Sequence, residues 1–357
     1  MLGRMSFLAL CLIWGFAVKA SAGELTVVAI GDCMPGGAYE SGFCRGADPF
    51  GGLRSVLSGA DLAIANLEGP LTERGDRRKK KFTFRSSPRY ARILAQAGLD
   101  VVGLANNHIL DFGEEGLRDT KRALSEFGIL SCGAGINLAE ARRPALFGAG
   151  KTRVAILSYN MTFPRSFWAG AERPGTVYGG TEWIREDTRK AREANDIVIV
   201  LVHWGAERRH ELKSYQRVTA HAAIEAGASL VVGSHPHVAQ GIERVGSSVA
   251  VYSLGDGVFG GALKREEGSL VMRAVFDSGV LCRVEILPLI ASNAATRCSP
   301  RLMDADESGP YLSMISRLSG DLGTELDLVD GPGGRCSLRL DLQPPESGRN
   351  PVDTGED

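Results

Sequence analysis

Four of the six histidines in this 357-residue chain sit just after short apolar runs, and acids and amides fall at the same kind of position elsewhere. Ile30 is followed by Gly31-Asp32, Ala65 by Asn66-Leu67-Glu68, and Leu104 by Ala105-Asn106-Asn107-His108. Val202 leads into His203-Trp204, Val232 into Gly233-Ser234-His235-Pro236-His237, and Tyr252 into Ser253-Leu254-Gly255-Asp256. Carboxylate, imidazole and amide oxygen are hard to borderline ligands. They suit manganese, iron, zinc or magnesium better than copper(I) or an iron–sulfur cluster. The set is larger than one structural zinc needs and fits a pair of divalent ions roughly 3.5–4 Å apart. Such a pair turns water into a nucleophile near neutral pH and stabilises charge on a phosphoryl oxygen. A single cluster could be a turn; repetition after six runs points to one shared site.

The runs themselves say what positions these residues. Leu25–Ile30, Leu62–Ala65, Val101–Leu104, Val154–Leu157, Ile197–Val202, Leu230–Val232 and Val249–Tyr252 are short, apolar and rich in β-branched residues, as strands buried on both faces are. Helical patterns lie between them: Pro88–Ala97, Glu115–Phe127, Glu186–Ala194 and Tyr215–Ala226, three of them stopped by glycine. Strand alternating with helix predicts an α/β protein with a largely parallel or mixed sheet. Ligands in such folds bind beyond the carboxyl ends of the strands, which is where the polar residues fall. Met161–Gly180, with Phe163, Phe167, Trp168 and Tyr178, reads as a loop that could face substrate, although Trp168 could equally pack on the core. The run RGDRRKKK, Arg74–Lys81, reads as a solvated surface loop, with a polyanion contact as the alternative.

Composition narrows the class. The formal net charge is −1, and loss of Arg4 and Lys19 with a leader would take it to −3, which is not the basic balance of a nucleic-acid binder. Residues 1–22 have a positive start, an apolar run and an Ala20-Ser21-Ala22 cleavage pattern, so they read as a secretory signal. Membrane association is expected only through that segment, and the protein is expected to be exported to the periplasm or exterior. Of the seven cysteines, none shows C-x-x-C spacing. Export permits disulfides, with Cys33–Cys44 and Cys298–Cys336 as the candidate bridges. The expected organisation is a signal over 1–22, a metal-bearing domain over 23–290, a C-terminal extension over 291–340 and a disordered tail over 341–357.

The segments VVAIGDCMPGG, ANLEGPLT, GLANNHILDFGEEGL, VIVLVHWGAE, AGASLVVGSHPHVAQGIE and VYSLGDGVFG, in that order over roughly residues 25–260, resemble the calcineurin-like metallophosphoesterase superfamily. Within it they are similar to the CapA family of poly-γ-glutamate capsule synthesis proteins. The resemblance implies a four-layer α/β/β/α metallophosphatase-like sandwich. It implies that Asp32, Glu68, Asn107, His203, His235 and His237 hold two metals, with Glu68 bridging, and that His108 acts as general acid or transition-state donor, oriented by Asp111. Asn106, Trp204, Glu207 and Arg208 are expected around the substrate; Asn106 could instead serve a tight turn. The superfamily's first motif carries a histidine where this chain has Met34, which leaves one metal a ligand short, and Asp256 could bind metal or cap a turn. His221 and His210 read as structural. The implied substrate is a phosphate ester or an anionic polymer, handled with capsule synthesis or export proteins. A non-catalytic component that binds the anionic polymer is the alternative.

Overall fold

A computed structural model of the chain describes residues 23–40, 43–261, 268–331 and 334–342. The expected signal, 1–22, and residues 343–357 of the expected tail lie outside the described residues. Among the described residues, no helix is long and apolar enough to cross a membrane.

The apolar strands divide their side chains between two faces, and that division builds the layers. In the strand Glu24–Met34, Val27 and Ala29 face one core while Val28 and Ile30 face another. Leu62 and Ile64 alternate with Ala63 and Ala65 in the same way. In the strand Ile197–His203, Ile197, Ile199 and Leu201 join the core between the sheets, whereas Val198, Val200 and Val202 turn outward. Successive side chains on a strand point to opposite faces, so a continuous apolar run needs cover on both sides.

That cover comes from four layers, as expected. The first sheet runs Asp327–Asp330, Cys336–Asp341, Val280–Ile290, Ser269–Asp277, Glu24–Met34, Leu62–Leu67, Val101–Gly103, Leu130–Cys132, with Asp256–Phe259 also paired to Glu24–Met34. The second runs Ile242–Val245, Ser248–Val251, Leu230–Ser234, Ile197–His203, Thr152–Asn160, Ala145–Ala149. Their inner faces meet in one apolar core. Helices Tyr90–Ala97 and Gly113–Glu126 cover the outside of the first sheet through Leu94 and Leu117. Helices Thr181–Ala194 and Ser214–Glu225 cover the outside of the second through Ile184 and Ala220. The second sheet is parallel at its centre, and the first is parallel from Glu24–Met34 through Leu62–Leu67 and Val101–Gly103 to Leu130–Cys132, so these strands gather their carboxyl ends along one edge of each sheet. The residues after 290 are built into this frame. The Cys336–Asp341 strand pairs with Val280–Ile290, and helix Ala305–Gly320 sends Leu312 and Ile315 into the core between the sheets.

The disulfide differs from both expected pairs: Cys44 is bridged to Cys298, 254 residues away, with a Cα separation of 5.4 Å. Cys33 is a free thiol buried in the first strand, and Cys336 is free in the strand paired with Asp327–Asp330. Nearness along the chain misled, because the segment after the first strand docks on the turn near residue 298. Tyr39 Oη donates to Asn293 Oδ1 at 2.8 Å, and the Gly52 amide donates to Ser299 Oγ at 3.2 Å. Replacing both cysteines (Cys44→Ser with Cys298→Ser) is expected to lower the unfolding free energy by about 2–4 kcal/mol, read by urea denaturation. Equal stability of variant and parent would show that the bridge constrains nothing.

Candidate metal centre

Asp32 organises the site. It lies where the pairing register of its strand shifts on both sides, a kind of irregularity that re-aims a side chain. Its neighbours across the sheet are Asn66 and Asp256. The strands approach closely here: a Cβ on Gly31 would fall 1.9 Å from Gly255 O, and the Asp32 amide donates to that carbonyl at 2.9 Å. Asp32 Oδ1 accepts from Asn66 Nδ2 at 2.7 Å, and Oδ2 accepts from the His235 amide at 2.9 Å. The second bond crosses from one sheet to the other. His235 and His237 hold left-handed backbone, at φ 94° and 58°, on either side of Pro236. Such conformations are uncommon for residues other than glycine.

Around Asp32 the expected ligands converge. His237 Nδ1 lies 3.5 Å from Asp32 Oδ2 and 2.8 Å from Asp256 Oδ1. Glu68 Oε1 is 3.7 Å from His108 Nε2, 3.9 Å from His237 Nε2 and 4.0 Å from His203 Nε2. His203 Nε2 is 2.9 Å from Asn107 Oδ1, while its Nδ1 meets Ser234 Oγ at 2.9 Å. His235 Nδ1 is buried with no hydrogen-bond partner. Asp32, Glu68, His203 and Asp256 are almost wholly shielded from solvent.

Burial and mutual charge pull these groups apart in protonation. Burial pushes the Asp32 carboxyl up to about 6, against the pull of His237. Burial also lowers His203 well below the ordinary histidine range and takes His235 down to about 3. For His237 burial works the same way, but Glu68, Asp256 and Asp32 outweigh it and hold the ring up to about 9. Buried acids and imidazoles of this density are costly unless compensated. Asp32, His237 and Asp256 each offer an atom within 4.8 Å of the others, and neutral imidazole with carboxylate is the donor set that divalent metals take. The residues therefore fit a bound cation.

Beside this centre stands a second group. His108 Nδ1 is 2.6 Å from Asp111 Oδ2, which also accepts from the Phe84 amide at 2.7 Å. Asp111 Oδ1 accepts from Lys80 Nζ at 2.6 Å. Lys80 also donates to the Asn107 carbonyl and lies over the Phe167 ring, 4.9 Å from its centre. Phe84 stacks on the His108 ring at 4.0 Å. With Asp111 accepting on all sides, Nδ1 of His108 carries the proton and Nε2 is turned toward Glu68. Lys80 belongs to the run that read as a solvated basic loop, and Phe84 follows just after it. Neighbouring Arg77, Arg78 and Lys79 are indeed exposed, but Lys80 turns inward. A charge run gives no sign of which member is buried.

Three expected substrate residues, Asn106, Trp204 and Arg208, lie away from the cleft. Asn106 is fully buried; its Oδ1 accepts from the His108 and Ile109 amides, and its Nδ2 donates to Leu67 O and Asn66 Oδ1. It shapes the Asn107-His108 turn and has nothing left for substrate. Trp204 is also fully buried, its Nε1 donating to Tyr252 O at 2.8 Å. Arg208 is exposed and does not line the cleft, whereas Glu207 does. That cleft, about 490 Å³, opens onto Asn107 and His235 between Phe163, Tyr178 and Tyr215. The Met161–Gly180 segment supplies one wall, with Phe167 buried and Trp168 half-buried. His210 and His221 are structural as read: Nδ1 of the former lies 2.7 Å from Ala239 O, and Nε2 of the latter 3.1 Å from Glu243 Oε1.

Known proteins bear on this arrangement. The chain is 29% identical over 277 residues to the capsule biosynthesis protein CapA of Bacillus anthracis, covering 74% of this chain and 67% of that protein. It is 33% identical over 272 residues to a polyglutamine synthesis accessory protein of Mycobacterium tuberculosis, covering 68% of this chain and 70% of that one. Among solved structures, the calcineurin-like phosphoesterase YfkN of Bacillus subtilis overlaps it with a TM-score of 0.42 at 16% identity, over 79% of this chain and 89% of that one. The family model for the bacterial capsule synthesis protein PGA_cap matches residues 26–261, which span every residue of the centre described above. The chain belongs to that family of capsule synthesis proteins.

Proposed function

We propose that the protein is an exported accessory factor in the synthesis of an anionic envelope polymer such as poly-γ-glutamate, and that it works as a metal-dependent hydrolase of phosphoesterase type. Family membership supports the first part. The leader-like opening residues and the Cys44–Cys298 bridge, which needs an oxidising compartment, support export. One observation carries the second part. Asp32, Glu68, Asn107, His203, His235 and His237, drawn from both sheets, converge with Asp256 on one buried spot at the strand ends.

Asp32, His237 and Asp256 would hold one divalent cation, with Asp256 supplying the ligand lost at Met34. Asn107, His203 and His235 would hold a second, and Glu68 lies between the two groups. Such cations, when bound, supply Lewis-acid polarisation of a phosphoryl oxygen and a nucleophile from water at neutral pH. The protein's own part is to orient and to move a proton. Asp111 fixes the His108 ring through Nδ1, so that Nε2 faces the centre and can hold a proton for the departing oxygen. Lys80 braces Asp111 and the Asn107 carbonyl from outside, the supporting role that a metal site's surroundings play. Burial of the acids keeps bulk water away and strengthens each electrostatic contact.

Elemental analysis of the purified full chain is expected to find bound divalent metal. Asp32→Ala and His237→Ala should strip most of it, and a preparation without metal at any occupancy would end the proposal. With bis(p-nitrophenyl) phosphate as substrate, His108→Gln should lower kcat by about 10²–10⁴-fold while metal content stays constant. Lys80→Met should lower kcat by about tenfold, again with metal retained. A metal-loaded protein that hydrolyses no phosphate or amide substrate would favour the polymer-binding role instead.

A further inference from the structure

The cleft that opens onto the centre has an unusual lining for a protein tied to polyanions. Asn107 and His235 form its floor, and Phe163, Tyr178 and Tyr215 form its walls. Among the described residues, no lysine or arginine lines it, and its charged wall residue is an acid, Glu207. The aromatic rings are open to solvent: Phe163 is 67% exposed and Tyr178 41%. They are the open faces of an aromatic shelf that Trp168 backs from behind Tyr178. Trp168 lies 4.1 Å from Tyr178 and 6.1 Å from Phe163, with the planes tilted by 31° and 32°. Arg165 sits over Phe163 and Trp168, at 6.0 and 5.6 Å from the ring centres, and stiffens the edge of that shelf.

An extended polycarboxylate would meet Glu207 on these walls and, besides the floor, a cation at the outer edge, Arg165, which is already spread over Phe163 and Trp168. Large exposed rings beside a few polar groups are instead what a neutral ring-shaped ligand needs. The C–H face of a sugar is electropositive and matches the negative face of an aromatic ring. Glu207 can only accept hydrogen bonds when ionised, and hydroxyl groups are donors. We infer that the substrate is a glycosyl phosphate type of compound, with its anionic group at the strand-end centre and its sugar ring against the Phe163 and Tyr178 faces of the shelf. This inference rests on the phosphoesterase-type reading of the site.

Binding to the Mn²⁺-loaded full chain, measured by calorimetry, tests it without any need for turnover. N-acetylglucosamine 1-phosphate should bind about tenfold more tightly than glycerol phosphate, which has a like charge and no ring. The double variant Phe163→Ala with Tyr178→Ala should erase that margin while leaving glycerol phosphate affinity and Mn²⁺ binding within twofold of the parent. Glu207→Gln should weaken the sugar phosphate selectively. Equal affinities in the parent, or a margin that survives in the double variant, would overturn the inference. So would tighter binding of adenosine monophosphate, which would make the shelf a nucleobase site, or of poly-γ-glutamate. Failure of Mn²⁺ itself to bind would strike the underlying reading and not this one alone.

Discussion

The amide of His235 donates to Asp32 Oδ2 across 203 residues of chain and across the junction of two sheets. Much else in the molecule depends on that contact. It requires the carboxyl end of Glu24–Met34 to meet the carboxyl end of Leu230–Ser234, which fixes how the sheets lie on one another. The apolar core between them is tolerant, since many aliphatic surfaces would fit. The polar edge is not. A buried carboxylate needs particular donors at particular distances. The left-handed backbone at His235 and His237 is the local cost of presenting an amide and an imidazole to the same acid.

Around this contact the structure sorts similar residues into different work. Adjacent Asn106 and Asn107 illustrate it. The first is consumed in shaping a turn, while the second directs its Oδ1 to His203. The imidazoles divide in the same way. His237 sits among acids and favours its charged form, whereas His203 and His235 are buried in ways that favour the neutral form. Neutral imidazole is the ligating form, so a cation beside Asp32 and Asp256 would take His237 in exchange for its proton. His108, stacked on Phe84 and tied to Asp111, is held by neighbours rather than by the cluster itself.

Much of this was legible in the sequence because the strands are buried on both faces and so appear as plain apolar runs. The polar residue ending each run then marks a strand end, and five such ends carry Asp32, Glu68, Asn107, His203 and the pair His235 and His237. Asp256 stayed ambiguous, since an acid after Gly255 is equally a turn residue. Only its registration beside Asp32 decides its company. The aromatic Met161–Gly180 loop stood out as one that could face substrate, but Lys80 and Phe84 were not legible, for a different reason. They lie on long connections whose composition matches an ordinary surface, and no periodicity separates an inward side chain from an outward one. The bridge from Cys44 to Cys298 was hidden likewise, because it records a contact between two loops and leaves no pattern along the chain.

Asp256 comes late in the chain, after every other member of the cluster. Were the chain exported as proposed, threading out amino end first, it would possess only a partial set of donors for most of its passage. Any ion it came to hold would have to be acquired at the destination, once the final acid had docked beside the first. The supply of cations in that compartment, rather than in the one where the ribosome works, would then decide what such a centre contains.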